Sequence, residues 1–184
     1  MLRRGFLAGL ILVPLPVRAQ DYIDFLFSPM GSGQVPDADR STRERIALRT
    51  NDPAGTILID TQARRLFLVE PEGFAQAYQV GVGREGYGWL GTETISAKRE
   101  WPDWRPPADM RARRPDLPAF VAGGPDNPMG ARALYLGQTL YRIHGSNEPE
   151  TVGDAASSGC FRMTNTDVID LYQRVRIGAR VRVF

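Results

Sequence analysis

From Gly55 onward the apolar residues come in short runs closed by glycine, proline or polar turns, and a single stretch repeats at helical spacing. Thr56-Ile57-Leu58-Ile59-Asp60 and Arg65-Leu66-Phe67-Leu68-Val69, split by Thr61-Gln62-Ala63-Arg64, predict a hairpin. Ala75 to Val82 predicts a third strand, and Thr92 to Ala97, Leu134-Tyr135-Leu136 and Tyr141-Arg142-Ile143 predict three more. The one predicted helix carries Val168, Leu171, Tyr172 and Val175 on one face, with Thr164 and Asp167 as a capping box and Gly178 as its stop. Val181 and Val183 then alternate in a closing strand. Strands first and one late helix predict a mainly β domain over residues 55–184.

Trp101 to Asn127 is too long for an ordinary connection. It is predicted to be an excursion whose aromatics, Trp101, Trp104 and Phe120, either line a substrate groove or bury the loop against the sheet.

The N-terminus reads as targeting sequence. Arg3-Arg4 form a charged region, Gly5 to Leu15 an apolar one, and Val17-Arg18-Ala19 a small-x-small cleavage site, so residues 1–19 are predicted to be a signal peptide. Arg3-Arg4-Gly5-Phe6-Leu7 also fits a twin-arginine signal. Residues 20–54 are predicted to be an N-terminal segment and linker: Tyr22 to Phe27 is a short apolar run, and Ser28 to Asp39 is rich in Gly, Pro, Ser and Asp. Loss of Arg3, Arg4 and Arg18 lowers Lys+Arg from 23 to 20 against 21 acidic residues. A near-neutral mature chain gives no reason to expect a nucleic-acid partner, and contact with a membrane is expected during export alone.

The chain has one histidine and one cysteine. Both fall in a short glycine-bearing region, His144-Gly145-Ser146 and Ser157-Ser158-Gly159-Cys160-Phe161-Arg162. An exported protein with one cysteine forms no internal disulfide, and a free thiol there is an oxidation liability. A buried structural cysteine is the commoner fate in general, but glycine, serines and arginine make a poor apolar core around Cys160. The residues therefore point to a thiol nucleophile with imidazole as its base. Gly159 permits a sharp turn, and the N–H groups around Gly159 and Cys160 are candidate oxyanion donors. Arg162 either holds a substrate carboxylate or is a surface charge or structural ion pair, and Ser157 alone reads as a turn residue. One His and one Cys are too few of zinc's usual nitrogen and sulfur ligands, so no metal is expected.

At these residues the chain resembles the L,D-transpeptidases of bacterial cell walls, the family of the YkuD catalytic domain. The resemblance rests on His144-Gly145-Ser146, on Ser157 to Met163, and on Asn165 to Tyr172. It extends through Gly91-Thr92-Glu93-Thr94-Ile95-Ser96 and Asn127 to Leu136. Ser158 departs from the pattern, standing where many members carry a second histidine. The resemblance implies a β-sandwich-like domain acting on peptidoglycan stem peptides without a cofactor. Cys160 would attack the third-residue carbonyl of a tetrapeptide stem, release D-alanine and carry the acyl group as a thioester. His144 would move the proton, Arg162 would orient the site or bind a carboxylate, Ser157 would support the loop by hydrogen bonding, and Gly145, Ser146 and Ser158 would line the substrate. Water as acceptor would instead give an L,D-carboxypeptidase or endopeptidase. A wall-binding module without catalysis is opposed by the intact Cys160, His144 and Arg162. A thiol redox protein is opposed by the missing second cysteine.

Overall fold

The computed structural model describes residues 39–184. The predicted signal peptide and the 20–38 part of the predicted linker lie outside the described residues.

Eleven strands and two α-helices follow one another in the described chain. The first six strands are β1 (Glu44–Ala47), β2 (Ile57–Asp60), β3 (Arg65–Val69), β4 (Phe74–Gln79), β5 (Val82–Gly83) and β6 (Gly91–Glu100). Helix α1 (Ala108–Arg113) precedes β7 (Arg132–Leu136), β8 (Arg142–His144), β9 (Ala155–Ser157) and β10 (Phe161–Arg162). Helix α2 (Asn165–Arg174) and β11 (Arg180–Val183) close the chain. Nine strands hydrogen-bond in the order β1-β4-β3-β2-β11-β6-β7-β8-β10, and β5 pairs separately with β9.

Strand β6 serves both halves of this sheet. Gly91–Thr94 pair with β11, Ile95–Glu100 pair with β7, and the register shifts between Ile95 and Ala97. A bulge at such a point bends the sheet, so the two halves face each other. Ile57, Leu66 and Tyr78 of one half and Leu134, Ile143 and Phe161 of the other meet in one buried cluster. The architecture is mainly β, a sandwich with one helix after the cysteine segment, as the sequence predicts.

Helix α2 is fixed at both ends. Its N-cap Thr164 accepts from the Asp167 N–H at 3.1 Å, as the capping-box pattern predicts. The reciprocal arm differs: the Asp167 carboxylate accepts from Ser41 Oγ (2.6 Å), Thr42 Oγ1 (2.7 Å) and the Thr42 N–H (3.0 Å). Asp39 accepts from the Asn165 N–H at 2.7 Å, a carboxylate placed where the helix dipole favours it. At the other end Lys98 of β6 donates to the Tyr172 and Val175 carbonyls, satisfying groups the helix leaves open. Val168 and Leu171 enter the core beneath α2, which packs on β7 and β8.

Two sequence expectations change. The folded body starts ahead of Gly55: β1 pairs antiparallel with β4, Glu44 opposite Ala77, and residues 39–42 tie down α2. An exposed edge strand has no buried alternation to betray it, which is why Glu44–Ala47 reads as linker. The predicted strand from Ala75 to Val82 divides into β4 and β5, separated by Val80 and Gly81. The long excursion contains α1 and a bridge between Trp104 and Val121, so it is a structured loop.

Candidate functional site

Strands β8 and β10 run parallel, with Ile143 opposite Phe161 and His144 opposite Arg162. This pairing sets the segment bearing the sole cysteine beside the strand bearing the sole histidine. The Met163 N–H donates to the His144 carbonyl at 2.9 Å, extending the ladder past the strands.

His144 is 6% exposed, and its Nδ1 lies 2.6 Å from the Gly145 carbonyl. A carbonyl only accepts, so Nδ1 donates to it, and the Met129 main chain also meets the ring. Burial makes the imidazolium costly and lowers the ring's pKa to about 4, against the opposing pull of the Gly145 carbonyl. Arg162 and Arg142 push it in the same direction as burial. His144 is therefore a neutral imidazole throughout the neutral pH range.

The frame behind His144 is Asn165, the first residue of α2. Its amide donates to the Ser146 carbonyl at 2.7 Å and accepts from the Ala131 N–H at 2.8 Å. A Cβ at Gly145 would stand 2.2 Å from Asn165 Oδ1, so this close approach excludes any side chain there. Ser146 is 1% exposed, and its hydroxyl accepts from the Glu148 N–H. Gly145 and Ser146 thus build the frame behind His144, and both are buried. Ser158, on the cysteine turn, is half-buried.

The cysteine turn links β9, paired with β5, to β10, paired with β8. Ser157 holds it from inside: its hydroxyl donates to the Cys160 carbonyl at 2.6 Å and accepts from the Gly159 N–H at 3.1 Å. The Gly159 N–H is thereby engaged within the turn. Gly159 has φ +105°, and a Cβ on it would stand 2.5 Å from Tyr141 Cε1 and 2.9 Å from the Tyr87 carbonyl. Tyr141 in turn stacks on Trp89, with ring centroids 4.9 Å apart.

Cys160 is half-buried, and its Sγ lies 3.8 Å from the Leu140 carbonyl. Burial raises its pKa, while Arg142 and, more weakly, Arg162 pull it back. The resting pair is thus neutral thiol and neutral imidazole.

Arg162 of β10 turns to the segment after His144. Its Nη1 lies 3.3 Å from Thr151 Oγ1 and 4.0 Å from Glu148 Oε2. Of its two expected roles, this geometry fits orientation of the site, since a substrate carboxylate would compete with Glu148.

A cavity of about 510 Å³ opens beside Gly159, lined by Arg64, Arg84, Glu85, Trp89 and Phe161 among others. Arg84 and Arg113 lie over the Tyr87 ring, 3.9 and 5.4 Å from its centroid, joining the 84–90 loop to α1. This brings the excursion towards the cysteine turn. Phe120 is 44% exposed with Arg105 over its ring, so it neither joins the core nor lines this cavity.

Sequence reasoning misses Asn165 and Arg142. Arg142 has a usable signal, since it stands two residues before His144 and a strand returns to the same face with that period. Asn165 enters only as the first residue of a stretch that carries the resemblance, and its reach to residues 131 and 146 exists only in three dimensions.

Comparison with known proteins agrees with this geometry. Residues 54–183 match the family described as the YkuD L,D-transpeptidase catalytic domain. The probable L,D-transpeptidase ErfK/SrfK of Escherichia coli (strain K12) is 36% identical over 136 residues, which are 69% of this chain and 43% of that protein. This chain spans under half the length of the curated relatives it matches first. A solved chain from Brucella melitensis, described as a probable carnitine operon oxidoreductase, is 39% identical, with 88% of this chain and 97% of that one covered and a TM-score of 0.53. L,D-transpeptidase 3 from Mycobacterium tuberculosis shares the fold at 17% identity and a TM-score of 0.55, covering 72% of this chain and 61% of its own. With the β8–β10 pairing, the single thiol and imidazole and the family match in agreement, the chain belongs to the YkuD L,D-transpeptidase catalytic-domain family.

Proposed function

We propose that this protein is an exported cysteine acyltransferase that acts on peptidoglycan tetrapeptide stems. The observation that carries the reading is the pairing of β8 with β10, which sets the turn bearing the sole thiol beside the strand that ends in the sole imidazole. Cys160 Sγ attacks the carbonyl carbon of the third stem residue while its proton passes to His144 Nε2. The tetrahedral oxyanion is met by the Cys160 N–H. Collapse breaks the peptide bond to the terminal D-alanine, whose amine takes the proton from His144, and a thioester remains on Cys160. An acceptor amine then attacks the thioester and gives up a proton to His144. The C–S bond breaks as the acyl group leaves on the amine, and His144 passes the proton to Sγ to restore the thiol. A conjugate acid with a pKa of about 4 returns its proton readily, which suits His144 to the leaving-group step.

The acceptor separates the two enzymatic readings: an amine gives a 3-3 cross-link or related attachment, and water gives a trimmed stem. Incubation with purified disaccharide-tetrapeptides, read by mass spectrometry, is expected to give a cross-linked dimer minus one D-alanine. A trimmed tripeptide alone would replace the transpeptidase reading with the hydrolase, and no reaction would favour a binding module.

Export rests on the N-terminal sequence. Among the described residues no helix is long and apolar enough to cross a membrane. Protein recovered from the native cell envelope is expected to begin at or near Gln20 by N-terminal sequencing; soluble cytoplasmic protein that keeps Met1 to Arg4 would contradict export.

A further inference from the structure

The Leu140 carbonyl has two neighbours. Arg142 Nη1 donates to it at 3.0 Å, and Cys160 Sγ lies 3.8 Å away. One peptide oxygen thus anchors a guanidinium beside the thiol. The Arg142 main-chain N–H also faces the sulfur, so strand β8 presents both an amide and a cation to it. Among the described residues no carboxylate pairs with Arg142. Its other neighbour is the Tyr135 ring, 5.1 Å from the guanidinium carbon. Arg162, the second cation near the sulfur, already shares its charge with Glu148 and its donor with Thr151.

We propose that Arg142 is a thiolate-stabilising residue, its guanidinium locked on the Leu140 carbonyl so that a fixed positive charge meets the negative charge that develops on Cys160. The proposal rests on Cys160 being the acyl carrier. It gives β8 two tasks on one face, proton transfer at His144 and charge stabilisation at Arg142. The division follows from the state of the pair. A buried neutral imidazole offers no standing positive charge to the sulfur, so charge stabilisation has to come from a group that never loses its proton. Preorganisation matters as well, since a guanidinium already bound to a carbonyl need not reorient when the charge appears. The other charged group facing Cys160 is Arg162 on β10, with Tyr141 and the Tyr87 carbonyl against Gly159.

The test is the rate of Cys160 alkylation by iodoacetamide against pH, followed by intact mass on the full chain, which has a single thiol. Arg142→Met keeps the stem over Tyr135 and removes the charge; Arg142→Lys keeps the charge and loses the fork. Arg142→Met is expected to raise the alkylation midpoint by about one pH unit and slow labelling at neutral pH roughly tenfold, the effect of removing a cation within contact range. Arg142→Lys is expected to hold most of the wild-type midpoint. An unmoved midpoint in Arg142→Met overturns the proposal, as does a Lys variant that behaves like Met. Should Arg142→Met fail to fold, the Lys variant decides, together with the wild-type midpoint in rising salt, which climbs if a cation holds it down and stays flat if none does. Alkylation needs no peptidoglycan, so a failed cross-linking reaction leaves this result standing, and a failed midpoint shift leaves Cys160 as nucleophile.

Discussion

A Cys160→Ala protein is expected to form neither cross-linked nor trimmed product and to take up no covalent carbapenem, an inhibitor class that the family resemblance implies. The loss is complete because the acyl group has no other sulfur to ride on, and no second cysteine can substitute. The variant is also expected to fold. The turn is held by Ser157 Oγ through the Cys160 carbonyl and the Gly159 N–H, and neither bond involves Sγ. Sγ itself bonds only weakly, to the Leu140 carbonyl at 3.8 Å, and removing it is expected to change stability by less than about 1 kcal/mol. Product analysis and intact mass after carbapenem exposure, beside a melting curve, check both halves. Acyl transfer that survives in a folded Cys160→Ala protein sinks the mechanism.

The same bonds show which parts of the site a sequence can display. Cys160, His144 and Ser157 are legible because chemistry restricts their residue types and a tight turn holds Ser157, Gly159 and Cys160 within four residues. The hairpin of β2 and β3 is legible because its apolar runs are buried on the core side, Ile57 and Leu66 fully. Strand β1 is not, since its stabilisation is main-chain pairing at an exposed edge. The same holds for Asp167, whose capping role is local while its bonds to Ser41 and Thr42 span more than a hundred residues. The burial of Gly145 and Ser146 has a related cause, since the space beside Gly145 is filled by Asn165 from across the fold. Local chemistry is written in spacing; long-range reach is not.

His144→Ala is expected to cut the rate of Cys160 acylation by about 10²- to 10⁴-fold, the usual worth of a positioned general base. No other histidine can take over, and Ser158→Ala is expected to change the rate little, since its hydroxyl has no proton-transfer step. The pH dependence carries more information than the size of the loss. With the ring's pKa near 4, the base form is present throughout the neutral range, so the acid limb of wild-type acylation is expected near pH 4 and well below the 6.5 of an ordinary histidine. The deficit of His144→Ala narrows at high pH, where hydroxide deprotonates the thiol unaided. Stability follows the same titration. Between pH 6.5 and 4 the unfolded chain binds a proton at this ring that the folded chain refuses, so the fold loses stability as pH falls through that window. The full loss is on the order of 3 kcal/mol. Chemical denaturation at pH 7 and pH 5 is expected to show a smaller difference in His144→Gln than in the wild type, because glutamine does not titrate. An acid limb at 6.5, or a Ser158→Ala defect as large as that of His144→Ala, would remove His144 from its place as the buried base.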